Sequence, residues 1–366
     1  MHKASLLLAD GSRYDGEGLS VEGVALGEAV FYTGMTGYEE ALTDPSYAGQ
    51  ILTFTYPMIG NYGVCGESMQ HNRVCVAGAV IKRISRRPSH YTSQIDLGSW
   101  LDAQRIPTLL DIDTRSLVIA LREHGTIAAA LAVGETALAH AEKLLAEYAR
   151  RNSTMGLVAS VAAEDDYAPP NGDGPRIVVL DCGVKRAILQ QLAGLGAHVE
   201  VLPYSASLEQ IEERRPEAVV ISPGPGDPTD LGATIETLQA LIGKIPLFGV
   251  CLGHQLLALA CGAKTFKLPY GHRGGNQPVK NLQNGGVLIT AHNHGYAVDG
   301  GSLPHDLEPT MVNLNDGTNE GFRHRSLPVV GVQFHPEAAP GPLDARYMFA
   351  DWYGSLACSE SRSSRA

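Results

Sequence analysis

The stretch that most restricts what this chain can fold into is 245–262, IPLFGVCLGHQLLALACG. The apolar run 245–250 has the length of a buried strand. Leu252, Leu256, Leu257 and Leu259 then recur at roughly helical spacing, and Gly262 supplies a C-terminal stop. A strand passing straight into a helix puts Cys251 at the corner. Gly249 and Gly253 flank it with the spacing of the nucleophile elbow G-x-S-x-G, sulfur replacing oxygen, and small residues suit a corner where two backbones nearly touch. Such a corner holds the sulfur out of the sheet. The helix start beside it offers unpaired N–H groups and the positive end of a dipole, which favour a thiolate and a developing oxyanion. A buried structural cysteine is the competing reading, because Gly-x-Cys-x-Gly also arises by chance, so the corner needs partners elsewhere in the chain.

The rest of the second half supplies a setting. Strand-like segments at 176–180, 198–202 and 218–222 alternate with helical ones at 185–195, 208–214 and 235–242 before the elbow strand. This rhythm predicts a mostly parallel sheet with helices on both faces, whose ligands gather beyond the carboxyl ends of its strands. Later strands at 287–290 and 329–334 bring two more loops to that edge, and 343–356 reads as a closing helix. The first half is different. Alternating polarity and many glycines over 6–37 predict short strands and turns, 74–84 another strand, and 97–104, 114–124 and 137–151 helices, with Asp113 as an N-cap. The segment 34–63 reads as Gly-rich connectors around Asp44, Pro45 and Ser46. The acidic run AAEDDYAPPNGDGP marks a linker, so the expected division is a smaller strand-rich α/β N-terminal domain over 1–161, a linker over 162–175, an α/β domain over 176–358 and a frayed tail over 359–366.

Composition excludes several function classes. A net charge of −11 argues against a nucleic-acid partner, and the basic run 82–87 reads as a solvated face. No stretch approaches the roughly 18 uninterrupted apolar residues of a membrane helix. Only 6–9 is apolar before Asp10, so no signal-peptide core is expected. Cysteines 65, 75, 182, 251, 261 and 358 form no C-x-x-C pair, which fits free thiols in a reducing cytoplasm. All but Cys251 lack the flanking glycines and helix start and read as structural.

A thiolate needs a base, and position selects it among thirteen histidines. The strand PVVGVQF runs into His335-Pro336-Glu337, and residues two apart in extended chain point the same way. Glu337 can then hold one imidazole nitrogen while the other faces a sulfur, the nucleophile, base and orienter logic of a triad. In the loop SPGPGDP, Gly224 and Gly226 leave bare backbone N–H groups suited to an oxyanion or substrate amide. As a phosphate loop it lacks a third glycine, and Asp227 would repel pyrophosphate; no Walker motif occurs either. In the loop AHNHGYAVD, His292 and His294 share a side, but with no third ligand nearby they read as hydrogen-bonding histidines, and no metal is expected.

Together FGVCLGHQ, PGPGDP and FHPE resemble class I glutamine amidotransferases. The whole chain, from about residue 5 to 355, is further similar to the small, glutamine-hydrolysing subunit of carbamoyl phosphate synthase. TGMTGYEEALTDPSYAGQ, YPMIGNYG and DIDTRSL carry that likeness in the first half, and GVKRAIL, NHGYAVD, NLNDGTNEGFRH and HPEAAPGP in the second. The resemblance implies that Cys251 attacks the glutamine side-chain amide, His335 moves the proton and Glu337 orients His335. It further implies that Gly224, Gly226 and Leu252 hold substrate and oxyanion, and that Gln255, Asn293, Gly295, Tyr296 and, from the first domain, Ser46 complete the glutamine pocket.

No cofactor is implied for this chain. ATP, Mg and bicarbonate would be used by a large partner subunit, in a heterodimer or an assembly of heterodimers that makes carbamoyl phosphate for arginine and pyrimidine biosynthesis. The chain departs from the family's pattern at Pro223, at Ala291-His292 and at Tyr296, which puts loop support and pocket affinity in question. Rival readings are an ester hydrolase, whose acid would precede its histidine, an amidotransferase with another acceptor, and a silent binding subunit.

Overall fold

In the computed structural model, which describes residues 2–151, 153–162 and 172–363 and side chains up to 356, the chain forms two units. The first comprises Met1–Thr154 and Pro269–Gly274, the second Met155–Leu268 and Gly275–Ala366. Most of the expected linker, 163–171, lies outside the described residues, as do 364–366 of the expected tail; the described part of that tail continues the last helix. No helix among the described residues is long and apolar enough to cross a membrane.

The first unit closes on itself. Strands β1 (His2–Leu8), β2 (Arg13–Gly18), β3 (Gly23–Tyr32), β4 (Gln50–Phe54), β5 (Gly78–Ile81), β6 (Thr108–Leu110) and β7 (Ile127–Val133) form a barrel in the order β1-β2-β6-β5-β4-β3-β7. Alternate residues explain the closure. Leu6, Leu8, Ala29, Ile51, Val80, Leu109 and Leu131 form one buried cluster drawn from around the ring. The intervening Leu7, Ala130 and Ala132 face the other way, onto Ala141 and Leu145. Helices α1 (Tyr38–Thr43), α2 (Leu97–Ala103), α3 (Thr114–His124) and α4 (Glu135–Arg151) complete the unit, and Asp113 caps α3 by accepting from the Ser116 N–H at 3.0 Å. Two expectations are corrected here. The strand expected over 74–84 is continuous only over Gly78–Ile81, with Ile84 forming an isolated bridge to Ile59, and the segment read as connectors contains α1 and β4, because its residues Tyr38, Leu42, Tyr47, Leu52 and Phe54 bury together.

The second unit holds α5 (Leu157–Val161), β8 (Arg176–Asp181), α6 (Arg186–Gly194), β9 (His198–Pro203), α7 (Leu208–Glu213), β10 (Ala218–Ile221), α8 (Gly232–Leu241), β11 (Leu247–Val250) and α9 (Leu252–Ala260). After them come β12 (Thr265–Asn281, of which Pro269–Gly274 is counted with the first unit), β13 (Val287–Val298), β14 (Leu307–Asn313), β15 (Asn319–His324), β16 (Val329–Val332) and α10 (Tyr347–Ser363). They build a nine-stranded sheet in the order β13-β12-β14-β15-β16-β11-β10-β8-β9.

Period-two alternation divides its parallel half between two cores. Val178, Leu180, Val219, Ile221 and Leu247 pack with Ile211, Leu238 and Leu256 of α7, α8 and α9. Ile177, Val179, Val220, Phe248 and Val250 pack with Ile188 of α6 and with Phe349 and Trp352 of α10. Helices therefore cover both faces, as expected. The antiparallel wing β12-β14-β15 was not expected, because β12, with two prolines and three glycines, shows no apolar alternation.

The strand order positions the site. β16, last in the sequence of strands, pairs parallel with β11, Gly249 opposite Gly331, and β10 flanks β11 on its other side. The carboxyl ends of these three neighbours carry 333–337, Cys251 and 222–226 respectively.

Candidate active site

Cys251 sits at the N-cap of α9 with φ 53° and ψ −104°, a left-handed conformation that costs a side-chain-bearing residue about 1–3 kcal/mol. Its N–H donates to the Val332 carbonyl at 2.8 Å, and its carbonyl accepts from the Gln255 N–H at 3.2 Å, so sheet and helix both pin the corner. A Cβ at Gly249 would collide with the Gly253 backbone, and one at Gly253 with the Ile221 carbonyl oxygen. Gly253→Ala is therefore expected to push α9 off β10 and cost about 1–3 kcal/mol, read as a lower urea midpoint at unchanged m. A midpoint equal to the parent's would show that the corner is not tight.

Cys251 is 1% exposed, and 3.7 Å separates its sulfur from the Asn293 carbonyl oxygen and from Gln333 Nε2 alike. Beyond β16, the His335 N–H donates to the Ala291 carbonyl at 2.9 Å, and Nδ1 of the same residue lies 2.7 Å from Glu337 Oε1. The other ring nitrogen, Nε2, is buried and makes no hydrogen bond of ordinary geometry, yet the Cys251 sulfur is near enough to favour the protonated ring. Burial, the largest single effect, pushes the imidazole down and Lys185 adds to it, but the Glu337 charge and the Cys251 sulfur together outweigh both, so the net direction is up. Burial pushes the Glu337 carboxyl up; Lys185 and His335 overcome that and hold it below the usual carboxylate range. The carboxylate thus stays ionised, and the imidazole can take a proton from the sulfur and keep it.

Lys185 was not named among the site residues by the sequence. Its Nζ lies 2.8 Å from Glu337 Oε1, both side chains buried. The turn that presents it, after β8, is held by Asp181, whose Oδ1 accepts from the Gly183 and Val184 N–H groups at 2.8 and 2.7 Å. A signal existed: a lysine at the carboxyl end of a parallel strand, where ligands gather. Gln333 was missed too, although it precedes His335 by the same two-residue step that linked His335 to Glu337.

The remaining expected residues of the second unit sit as follows. At Gly224 a Cβ would strike the Cys182 carbonyl, and Gly226 has φ 94°, so both need glycine. Pro223 cannot donate, but Ser222 braces the loop: its Oγ donates to the Pro223 carbonyl at 2.8 Å and accepts from the Cys182 N–H at 2.9 Å. Leu252 opens α9. Gln255 Nε2 donates to the Tyr296 carbonyl at 2.7 Å and to Gln333 Oε1 at 3.0 Å. Asn293, Gly295 and Tyr296 lie on β13, which corrects the expected loop 291–299: the strand runs on to Val298.

His292 Nδ1 and His294 Nε2 are 3.1 Å apart, His292 Nε2 is 2.7 Å from Thr290 Oγ1, and His294 Nδ1 is 2.9 Å from the Tyr296 carbonyl. Glu320 brings a further ligand-type atom within 4.8 Å of theirs, which corrects the expectation that no third ligand lies nearby; the hydrogen bonds just given occupy the histidine ring nitrogens. Ser46 belongs to the first unit, where Asp44 caps its N–H at 2.9 Å and its buried Oγ has no hydrogen-bond partner.

The other described cysteines are free thiols in unreactive settings where a shift is resolved: burial pushes Cys75 up to about 12, Cys261 up to about 11 and Cys182 higher still. The side chain of Cys358 lies outside the described residues.

A cysteine elbow between a His-x-Glu strand end and a Gly-rich loop, on one edge of a helix-covered sheet, defines a class I glutamine amidotransferase, and the family described as Glutamine amidotransferase class-I matches residues 178–353. The family described as Carbamoyl-phosphate synthase small chain, CPSase domain, matches residues 6–131. A carbamoyl phosphate synthase small chain from Symbiobacterium thermophilum is 47% identical over 347 residues, 93% of this chain and 95% of that one. One from Archaeoglobus fulgidus is 45% identical over 353 residues, 96% of this chain and 98% of that one. Among solved structures, a glutamine amidotransferase from Thermotoga maritima aligns with a TM-score of 0.38 at 19% identity, over 51% of this chain and 85% of that one. The chain belongs to the carbamoyl phosphate synthase small chain family. It is an enzyme subunit of the glutamine-hydrolysing kind.

Proposed function

We propose that this chain hydrolyses L-glutamine through a thioester on Cys251 and hands the ammonia to a large ATP-dependent subunit that makes carbamoyl phosphate. The observation that carries the reading is the buried line of Lys185, Glu337 and His335, which ends on an imidazole facing a sulfur held on a strained corner.

The Cys251 sulfur attacks the side-chain carbonyl carbon as His335 takes the thiol proton. His335 returns that proton to the amide nitrogen as the C–N bond breaks, and ammonia leaves. Water then gives its proton to His335 and attacks the thioester; the C–S bond breaks, and glutamate and the thiol are restored. Backbone N–H groups of Leu252 and Gly224 suit the oxyanion, the first because a helix start leaves it unpaired. Gly226, Gln255, Asn293, Gly295 and Tyr296 hold the glutamine. Ser46 rests on the family's pattern, together with its unpartnered buried hydroxyl.

The chain needs no cofactor in this scheme. ATP, Mg and bicarbonate belong to the large subunit, paired with this one as a heterodimer or an assembly of heterodimers. Carbamoyl phosphate would feed arginine and pyrimidine biosynthesis in the cytoplasm, a location that the free thiols support.

Purification from the native cell tests the scheme. A large ATP-binding chain is expected to accompany this one, and the labelled amide nitrogen of glutamine is expected in carbamoyl phosphate. Label delivered to a different acceptor by a different synthetase would overturn the assignment of partner and product.

A further inference from the structure

We infer that Gln333 is a further member of the catalytic apparatus: its side-chain amide, aimed by Gln255, donates to the Cys251 sulfur and stabilises the thiolate. The inference rests on reading Cys251 as the nucleophile and adds a group that the triad does not contain.

The polarity of the contact follows from a backbone carbonyl. The Tyr296 carbonyl can only accept, so the Gln255 atom 2.7 Å from it must be the amide nitrogen. The second N–H of that nitrogen reaches Gln333 at 3.0 Å, and the atom receiving it must be the carbonyl oxygen Oε1. A planar amide then turns the Gln333 Nε2 the other way, to 3.7 Å from the sulfur. A flipped Gln333 would set its N–H against that of Gln255 and its oxygen against the sulfur. The backbone is tied as well, the Gln333 N–H donating to the Glu320 carbonyl at 3.0 Å.

Burial gives the contact weight. Gln333 is 0% exposed, Gln255 2% and Cys251 1%, so little water competes for the sulfur. The two neighbours of the sulfur act in opposite senses. The Asn293 carbonyl, 3.7 Å away, can accept from the thiol but faces the thiolate with its own partial negative charge. Gln333 can donate, and a hydrogen bond to a charged acceptor is roughly twice as strong as to a neutral one, so it favours the ionised sulfur. When His335 has taken the proton, Gln333 is the side-chain donor that stays on the sulfur through attack.

The test is the pH dependence of iodoacetamide modification at Cys251 in the full chain, followed by mass mapping of the peptide that carries it. In Gln333→Leu the inflection is expected to move up by about one pH unit. Gln255→Leu, which frees the Gln333 amide to turn, should move it the same way, and the double variant no further than Gln333→Leu alone. Gln333→Glu, closest in shape, serves should the leucine variant fail to fold, and is expected to move the inflection up because it presents an acceptor to the sulfur.

An inflection unmoved in folded Gln333→Leu, or in Gln333→Glu, overturns the inference while Cys251 remains the nucleophile. Glutamate released at the parental rate by Cys251→Ala overturns the nucleophile reading, and this inference with it.

Discussion

Cys251→Ala is expected to lower glutamate release from glutamine by about 10⁴-fold or more, because the bond-forming atom is gone and only binding and the oxyanion donors remain. The fold should survive, since Gly249, Gly253 and the Cys251 backbone contacts to Val332 and Gln255 are untouched. A second variant separates chemistry from architecture. Cys251→Gly should be equally inactive yet more stable than Cys251→Ala by about 1 kcal/mol, because a residue at φ 53° is strained unless it is glycine. Glutamate released at the parental rate by the alanine variant would remove Cys251 from the mechanism. A glycine variant no more stable than the alanine one would remove the strain from the corner.

Lys185→Met should cost about 3 kcal/mol of folding stability, because removing one partner of a buried ion pair leaves the other charge in the interior. Glu337 then has only His335 to balance it, and the double variant with Glu337→Gln should recover part of the loss. The effect depends on pH in a defined direction. A carboxyl held below its unfolded value of about 4.3 contributes stability that is complete above that value and is lost as the pH falls through the folded one. The gap between parent and Lys185→Met should therefore be full at neutral pH and shrink as Glu337 protonates in acid. Lys185 also opposes protonation of His335, so its removal should shift upward the pH at which the imidazole gives up its proton. Urea unfolding at several pH values reads the first effect and the pH profile of glutamate release the second. A variant as stable as the parent at neutral pH would mean that the Lys185–Glu337 contact contributes nothing to the fold.

The parts of the site legible in the sequence are those whose geometry is local. The elbow is one continuous segment in which two glycines and a change of period announce the turn, and His335 and Glu337 are two positions apart, although a turn at 336–337 and not extended chain brings them together. Lys185 and Gln333 were passed over because their significance is a partner. A lysine opening a helix looks like any surface lysine until Glu337 is found 2.8 Å from its ammonium, and a glutamine just past a strand end means little until a sulfur faces its amide. The antiparallel wing escaped for a related reason: β12 carries Pro269, Pro278 and three glycines, and its pairing with β14 over Val279–Asn281 is a tertiary contact that its own propensity does not announce.

By itself the amino-acid sequence determined the helix-covered parallel sheet, the corner that carries Cys251 and the pairing of His335 with Glu337, because each depends on residues within a turn or two of chain. Tertiary structure alone decided that β16 docks against β11, that the first unit closes into a barrel, and that Lys185 and Gln333 converge on the acid and the sulfur. Strand order is set by burial summed over whole faces, and a buried charge or amide finds its partner only once that burial has removed water as the alternative.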